Sequence, residues 1–169
     1  MDAPYHREIL QKALGERVSP RALEAITAAN LNQDSLAGLL RHEFHFDDSQ
    51  FDQSLAYVEE CRAAAGRAVD PAEAWAAFGR LTHSVQDFYA HSNYVQLWAD
   101  LQTLIPGDRD TDRARLPPTS KMKALDAYLL KHPKLKSARV YLPLEALCLV
   151  APLRPLVRLF LPRDSHAWM

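Results

Sequence analysis

The sequence is short of cysteine, glycine and net charge: 169 residues hold 2 Cys and 5 Gly, and the formal net charge is −1. Cys61 and Cys148 stand far apart in apolar surroundings. That excludes a disulfide-stapled scaffold and predicts two reduced core thiols. The chain has no phosphate-cradling loop, dinucleotide fingerprint or G-x-S-x-G elbow. The near-zero charge removes any overall pull toward nucleic acid or an anionic surface, and arginines and aromatics are scattered rather than gathered into a nucleic-acid platform. The opening residues Met1 to His6 include no basic region followed by an apolar run, so a cytoplasmic location is expected. The one long apolar stretch, 142–162, is interrupted by Glu145, Arg154, Arg158 and four prolines, which argues against a membrane span. Its Leu and Val residues beside two arginines suit peripheral membrane contact instead. Hydrophobic residues make up 48%, enough for a real core in a single domain spanning 1–169.

Helical signals dominate what is present, and no strand pattern competes. Tyr5 to about Arg17 has apolar residues near helical spacing. Ser19-Pro20 reads as a cap followed by proline at the first helical position. Asn30 to Asp34 is a polar interruption, Ser35 to Leu40 a short helix, and Ser49 the cap of a helix carrying Leu55, Val58 and Cys61. Asp70-Pro71-Ala72-Glu73 starts a helix that runs to at least His91, with Trp75, Phe78, Val85 and Tyr89 as its expected apolar face. Gly79 on that helix leaves room for another element to approach. Residues 105–119 read as a solvated loop. Asp108, Asp110 and Asp112 resemble the start of a calcium loop, but Thr119 stands where the motif needs a glutamate. Helices are expected over 120–162. The expected fold class is therefore all-α, a multi-helix bundle.

The most informative stretch is Leu81-Thr82-His83-Ser84-Val85-Gln86-Asp87-Phe88-Tyr89-Ala90-His91. His83, Asp87 and His91 recur every four residues and form one stripe on a helix. Imidazole and carboxylate are the ligand set of zinc and other borderline divalent metals. With 7 His in the chain, chance gives on the order of 0.02 such matches, which places a metal site ahead of a solvated polar face. One stripe cannot close a site, so further ligands must come from elsewhere. His42-Glu43-Phe44-His45 has its second His one residue too early for a zinc-protease helix. A His-Asp doublet is absent, because Phe46 separates His45 from Asp47. His45 sits among Phe44, Phe46 and Phe51, where an unpaired imidazole is costly.

The order His6, Asp34, His45, His83-x3-Asp87, His91 resembles the metal-binding order of the zinc-dependent phospholipase C superfamily. That group includes fungal single-strand nucleases and heterokaryon-incompatibility-C-like proteins. Phe44-His45-Phe46-Asp47 and the Gly79–Asn93 block are closest to the last group, and the resemblance covers about residues 5–98. It implies an all-helical fold around one to three zinc ions. Asp34, His45, His83 and Asp87 would hold one zinc. Asp87 would bridge to a second, also held by His6, and His91 would belong to a third. The implied chemistry is attack of metal-activated water on a phosphodiester, phospholipids included, with Asp34 orienting or deprotonating that water. Asp47 and Asn93 are then candidates for holding ligands or substrate. The pattern departs from the family at the third site, which normally adds a later His with a Glu four residues on. His132 is followed at that spacing by Lys136.

Three functions follow as expectations: a metal-dependent phosphodiesterase of phospholipase C type, a nuclease-like member of the same superfamily, and a metal-stabilised helical scaffold without catalysis. The charge balance makes the nuclease the weaker of the first two.

Overall fold

A computed structural model describes residues 2–35, 37–103, 129–141, 144–149 and 152–165. It is mostly helical, and among the described residues there is no strand, only two isolated bridges, Ser92 with Ser137 and Arg139 with Ser165. The helices are α1 (Ala3–Leu14), α2 (Pro20–Leu31), α3 (His42–His45), α4 (Phe51–Arg67), α5 (Pro71–His91), α6 (Tyr94–Thr103) and α7 (Arg154–Arg158). Short 3₁₀ turns link α2 to α4 at Asn32–Asp34, Gly38–Leu40 and Asp47–Ser49, and another spans Leu144–Leu149. The fold class expected from the sequence is therefore present. The loop expected over 105–119 and most of the helix expected after it lie outside the described residues. Cys61 is buried, Cys148 half-buried, and neither forms a disulfide. Among the described residues no helix is long and apolar enough to cross a membrane.

Two helix starts follow the capping rules. Ser19 Oγ accepts from the Ala22 N–H at 3.2 Å and Asp70 Oδ1 from the Ala72 N–H at 2.9 Å, each with proline in the first turn. Each such cap contributes about 1 kcal/mol. Ser49 does not cap α4. Its φ is +58°, its hydroxyl accepts instead from the Ser137 N–H at 3.2 Å, and α4 begins at Phe51.

Helix α5 is the axis on which α2 and α4 pack, with α1 against α2 and α3 against both α4 and α5. It buries apolar Ala77 and Phe88, but two of its expected apolar positions face outward and a polar stripe faces in. Val85 and Tyr89 are 37% and 47% exposed, whereas His83, Ser84, Gln86, Asp87 and His91 are buried. The polar stripe turns inward because each of its charges finds a partner on a facing element. The aromatic core forms beside it: Phe46, Phe88 and Tyr94 are buried with Leu129 and Leu135, and the Phe46 and Phe88 rings lie 5.0 Å apart. On α1 the two buried residues, His6 and Leu10, lie one turn apart on the face that meets the bundle.

Gly79 lets α2 come close. A Cβ at this position would lie 2.4 Å from the Ile26 carbonyl oxygen and 2.8 Å from Ala29 Cβ. Gly79→Ala weighs a helix-propensity gain of about 1 kcal/mol against overpacking that costs about 1–3 kcal/mol. The contact is with backbone, so overpacking wins. Urea unfolding of Gly79→Ala is expected to show a net loss of stability; a net gain would show that α2 yields without strain.

Candidate metal centre

Six predicted ligands converge. His6, His45, His83, Asp87 and His91 are fully buried, and Asp34 alone keeps partial access, with 26% of its side chain exposed. α1 delivers His6, the 3₁₀ turn after α2 delivers Asp34, α3 delivers His45, and α5 delivers the other three. One ligand atom each from His6, Asp34, His83 and Asp87 lies within 4.8 Å of all the others.

Asp87 divides the donors between its two oxygens. Oδ2 faces His45 Nδ1 at 2.8 Å and His83 Nε2 at 3.0 Å. Oδ1 faces His6 Nε2 at 3.3 Å and His91 Nε2 at 3.8 Å. Asp34 spans the same division. Its Oδ1 lies 3.6 Å from His83 Nε2 and 4.0 Å from His45 Nδ1, and its Oδ2 lies 4.0 Å from His6 Nε2. His91 thus faces the same Asp87 oxygen as His6. Its other nitrogen faces Asp47 Oδ1 at 3.7 Å.

These spacings admit a divalent ion as well as a hydrogen-bond network. His45 Nδ1 and His83 Nε2 lie 3.1 Å apart. With Asp87 Oδ2 they form a triangle with edges near 3 Å. A neutral imidazole has one N–H, and His45 Nε2 meets the Gly38 carbonyl at 3.3 Å, where a proton serves as donor. That choice leaves a lone pair on Nδ1 facing the triangle. Donors about 2.0–2.1 Å from a tetrahedral zinc stand roughly 3.3 Å from one another, close to these edges. His6 Nε2 is likewise buried without a hydrogen-bond partner, which is costly unless something else takes up its lone pair.

Burial by itself raises the Asp87 pKa, but the charge of His91 and the imidazoles of His45, His6 and His83 packed against it outweigh burial and hold the carboxyl well below its usual range. Burial pushes His83 down more than Asp87 lifts it. For His6 burial also pushes down, and Asp87 and Gln86 more than offset it.

Local backbone strain aims two of the side chains. Phe46, Asp48 and Ser49 have φ values of 57°, 52° and 58°, a region that costs a non-glycine residue about 1 kcal/mol or more. The turn sends His45 and Asp47 toward the cluster while Phe46 fills the core. Residues 134–140 strap it down. The Asp48 N–H donates to the Ala138 carbonyl at 2.7 Å, the Ser49 N–H to Ser137 Oγ at 2.8 Å, and the Ala138 N–H to the His91 carbonyl at 2.7 Å. Asn93 belongs to this strap. Its Nδ2 donates to the Lys134 carbonyl and its Oδ1 accepts from the Lys136 N–H, both at 2.8 Å.

Gln86 and Asn30 are the site residues that the sequence did not single out. Gln86 Oε1 lies 2.5 Å from His6 Nδ1 and 3.1 Å from Asn30 Nδ2. Gln86 sits three residues after His83, and that spacing was the available signal. An apolar cavity of about 170 Å³ lies elsewhere, between α4 and α5 and lined in part by Val85, Phe88 and Tyr89. Those positions fall on the side of α5 roughly opposite the metal stripe, so the cavity is not the mouth of this site.

Fold and site together define an all-helical protein with a buried His/Asp cluster of metal-ligand type. The family model for the VWA7 N-terminal domain matches residues 6–113, and the chain belongs to that family. The matched span holds all six converging ligands. No curated protein and no solved structure matches the chain.

Asp87→Asn removes the charge that the imidazoles surround, and the metal-free protein is expected to lose about 3–5 kcal/mol, as when a buried pair is broken. Asp34→Asn, at the partly exposed edge, is expected to cost less than about 1 kcal/mol. Denaturant unfolding in the presence of a chelator checks the contrast; equal losses would contradict the central place given to Asp87.

Proposed function

We propose that this chain is a zinc-dependent phosphodiester hydrolase of phospholipase C type, with two metal positions on either side of Asp87. The observation that carries the reading is the division of donors by Asp87: His45 and His83 on Oδ2, His6 and His91 on Oδ1. The two sides would hold one ion each, with Asp34 reaching both. Bound divalent ions at such a site lower the pKa of water toward neutrality and stabilise the charge of a phosphodiester under attack.

The chain's own residues supply the rest. Of the six cluster residues Asp34 alone is open to solvent, so substrate and water approach along its edge. Its carboxylate is placed to orient an incoming water and accept its proton, which makes Asp34 the catalytic base in this reading. Asp47 steadies His91 from behind. The buried remainder of the cluster excludes bulk water and keeps the imidazoles in fixed orientations. The substrate class follows from the metal pair and from the resemblance over residues 5–98. Peripheral membrane contact would bring a phospholipid to the site; the near-neutral charge of the chain disfavours nucleic acid.

A second reading, a metal-stabilised scaffold without catalysis, draws on the burial of every ligand but Asp34. Two measurements separate the readings. Elemental analysis is expected to find two zinc ions per chain, lost in His83→Ala and Asp87→Ala. Against a generic phosphodiester such as bis(p-nitrophenyl) phosphate, Asp34→Asn is expected to lower turnover by about 10²–10⁴-fold while at least one zinc stays bound. Zinc without turnover in the parent protein would favour the scaffold, and a parent without zinc would reject both readings.

A further inference from the structure

We infer that Thr82, Asn30 and Gln86 form a buried relay that presets His6 as the Nδ1–H tautomer, so that its Nε2 lone pair faces Asp87 before any ion arrives. The inference rests on the metal-binding reading of His6 and adds three positioning residues to it.

The relay is read by following donors and acceptors from a fixed end. Thr82 Oγ1 donates to the Gly79 carbonyl one turn earlier on α5, at 2.8 Å. A carbonyl has no proton to give, so the hydroxyl proton is committed there. Thr82 Oγ1 can then only accept, and it accepts from Asn30 Nδ2 at 3.2 Å. That fixes which end of the Asn30 amide is nitrogen. The same Nδ2 also donates to Gln86 Oε1 at 3.1 Å, which fixes the orientation of the Gln86 amide. Gln86 Oε1, an acceptor, lies 2.5 Å from His6 Nδ1, so Nδ1 must carry the proton. When the ring is neutral that is its one proton, and Nε2, 3.3 Å from Asp87 Oδ1, is left with its lone pair.

Beyond the half-buried Thr82, the relay is sealed from water. Asn30 and His6 are fully buried and Gln86 is 8% exposed. It depends on the close approach of α2 to α5 at Gly79, since Asn30 reaches Thr82 and Gln86 from α2. His45 has a simpler device of the same kind in the Gly38 carbonyl. His6 arrives on a separate helix near the start of the chain, with no backbone carbonyl on Nδ1 among its described contacts, and side-chain amides take that role. Groups that orient a ligating imidazole commonly change metal affinity by about 10–100-fold.

The test uses the full chain, ¹⁵N-labelled and metal-free, at about pH 9, where imidazoles are neutral. Long-range ¹H–¹⁵N correlation reads the His6 tautomer, assigned by its loss in His6→Gln. The parent protein and Gln86→Glu, which keeps an acceptor on Nδ1, are expected to show Nδ1–H. Asn30→Asp cannot donate to Gln86; the glutamine amide then turns its nitrogen toward both neighbours, and His6 is expected to switch to Nε2–H. In chelator competition, zinc binding to Asn30→Asp is expected to weaken about 10–100-fold, with Gln86→Glu close to the parent. An Nε2–H signal in the parent or in Gln86→Glu, or an unchanged tautomer in Asn30→Asp, would overturn the relay. So would an inverted tautomer with unchanged zinc affinity. Absence of zinc binding in the parent would instead sink the metal reading, and the tautomer spectra of the metal-free protein would still decide the relay.

Discussion

Everything in this bundle answers to one buried carboxylate. Asp87 lies one turn before the C-terminal end of α5 with no exposed surface, and an isolated charge there would cost several kcal/mol. Four imidazoles from three helices surround it, and the carboxyl stays ionised. Satisfying Asp87 therefore dictates which elements must meet: α1 through His6, α3 through His45, and α5 folded inward along its polar stripe. Neutral imidazoles have too few protons to bond to every oxygen and nitrogen they approach. The surplus lone pairs are what make the cluster a metal site in the proposed reading, where ions take the place that protons cannot fill.

The scaffold is built to hold that convergence. Gly79 brings α2 against α5, so that Asn30 reaches the polar stripe from the side. The strained turn 46–49 points His45 and Asp47 inward and Phe46 outward into the aromatic core. Its strain is balanced by hydrogen bonds to residues 137–140 and by burial of a phenylalanine ring, which contributes about 1.5–3 kcal/mol. The same strap fastens the C-terminal end of α5 through His91 and Asn93. Rigid support of this kind is what a ligand set needs if its orientation is to precede the ion.

Much of this was legible in the sequence, because periodicity and capping are local. The four-residue repeat of His83, Asp87 and His91, the caps at Ser19 and Asp70, and the all-helical class are properties of short windows. The order of His6, Asp34 and His45 also pointed to residues that the fold brings together. What failed was long-range. Val85 and Tyr89 have the spacing of a core face, yet α5 buries its polar stripe because partners for that stripe come from segments as far away as residue 6. Ser49 looked like a cap, but its left-handed backbone and its bond to Ser137 depend on a strap almost 90 residues later. Asn93, a candidate for holding ligands or substrate, bonds to that strap. Asn30 read as an interruption in the chain and is a buried member of α2. None of these pairings leaves a periodic trace.

The central claim is that Asp87 separates two metal positions. A crystal structure of the zinc-loaded protein, with anomalous data collected above and below the zinc edge, tests it most directly. The account predicts two anomalous peaks flanking the Asp87 carboxylate, one toward His45 and His83 and the other toward His6 and His91. No peak within the cluster, or a single ion bound away from Asp87, would contradict it.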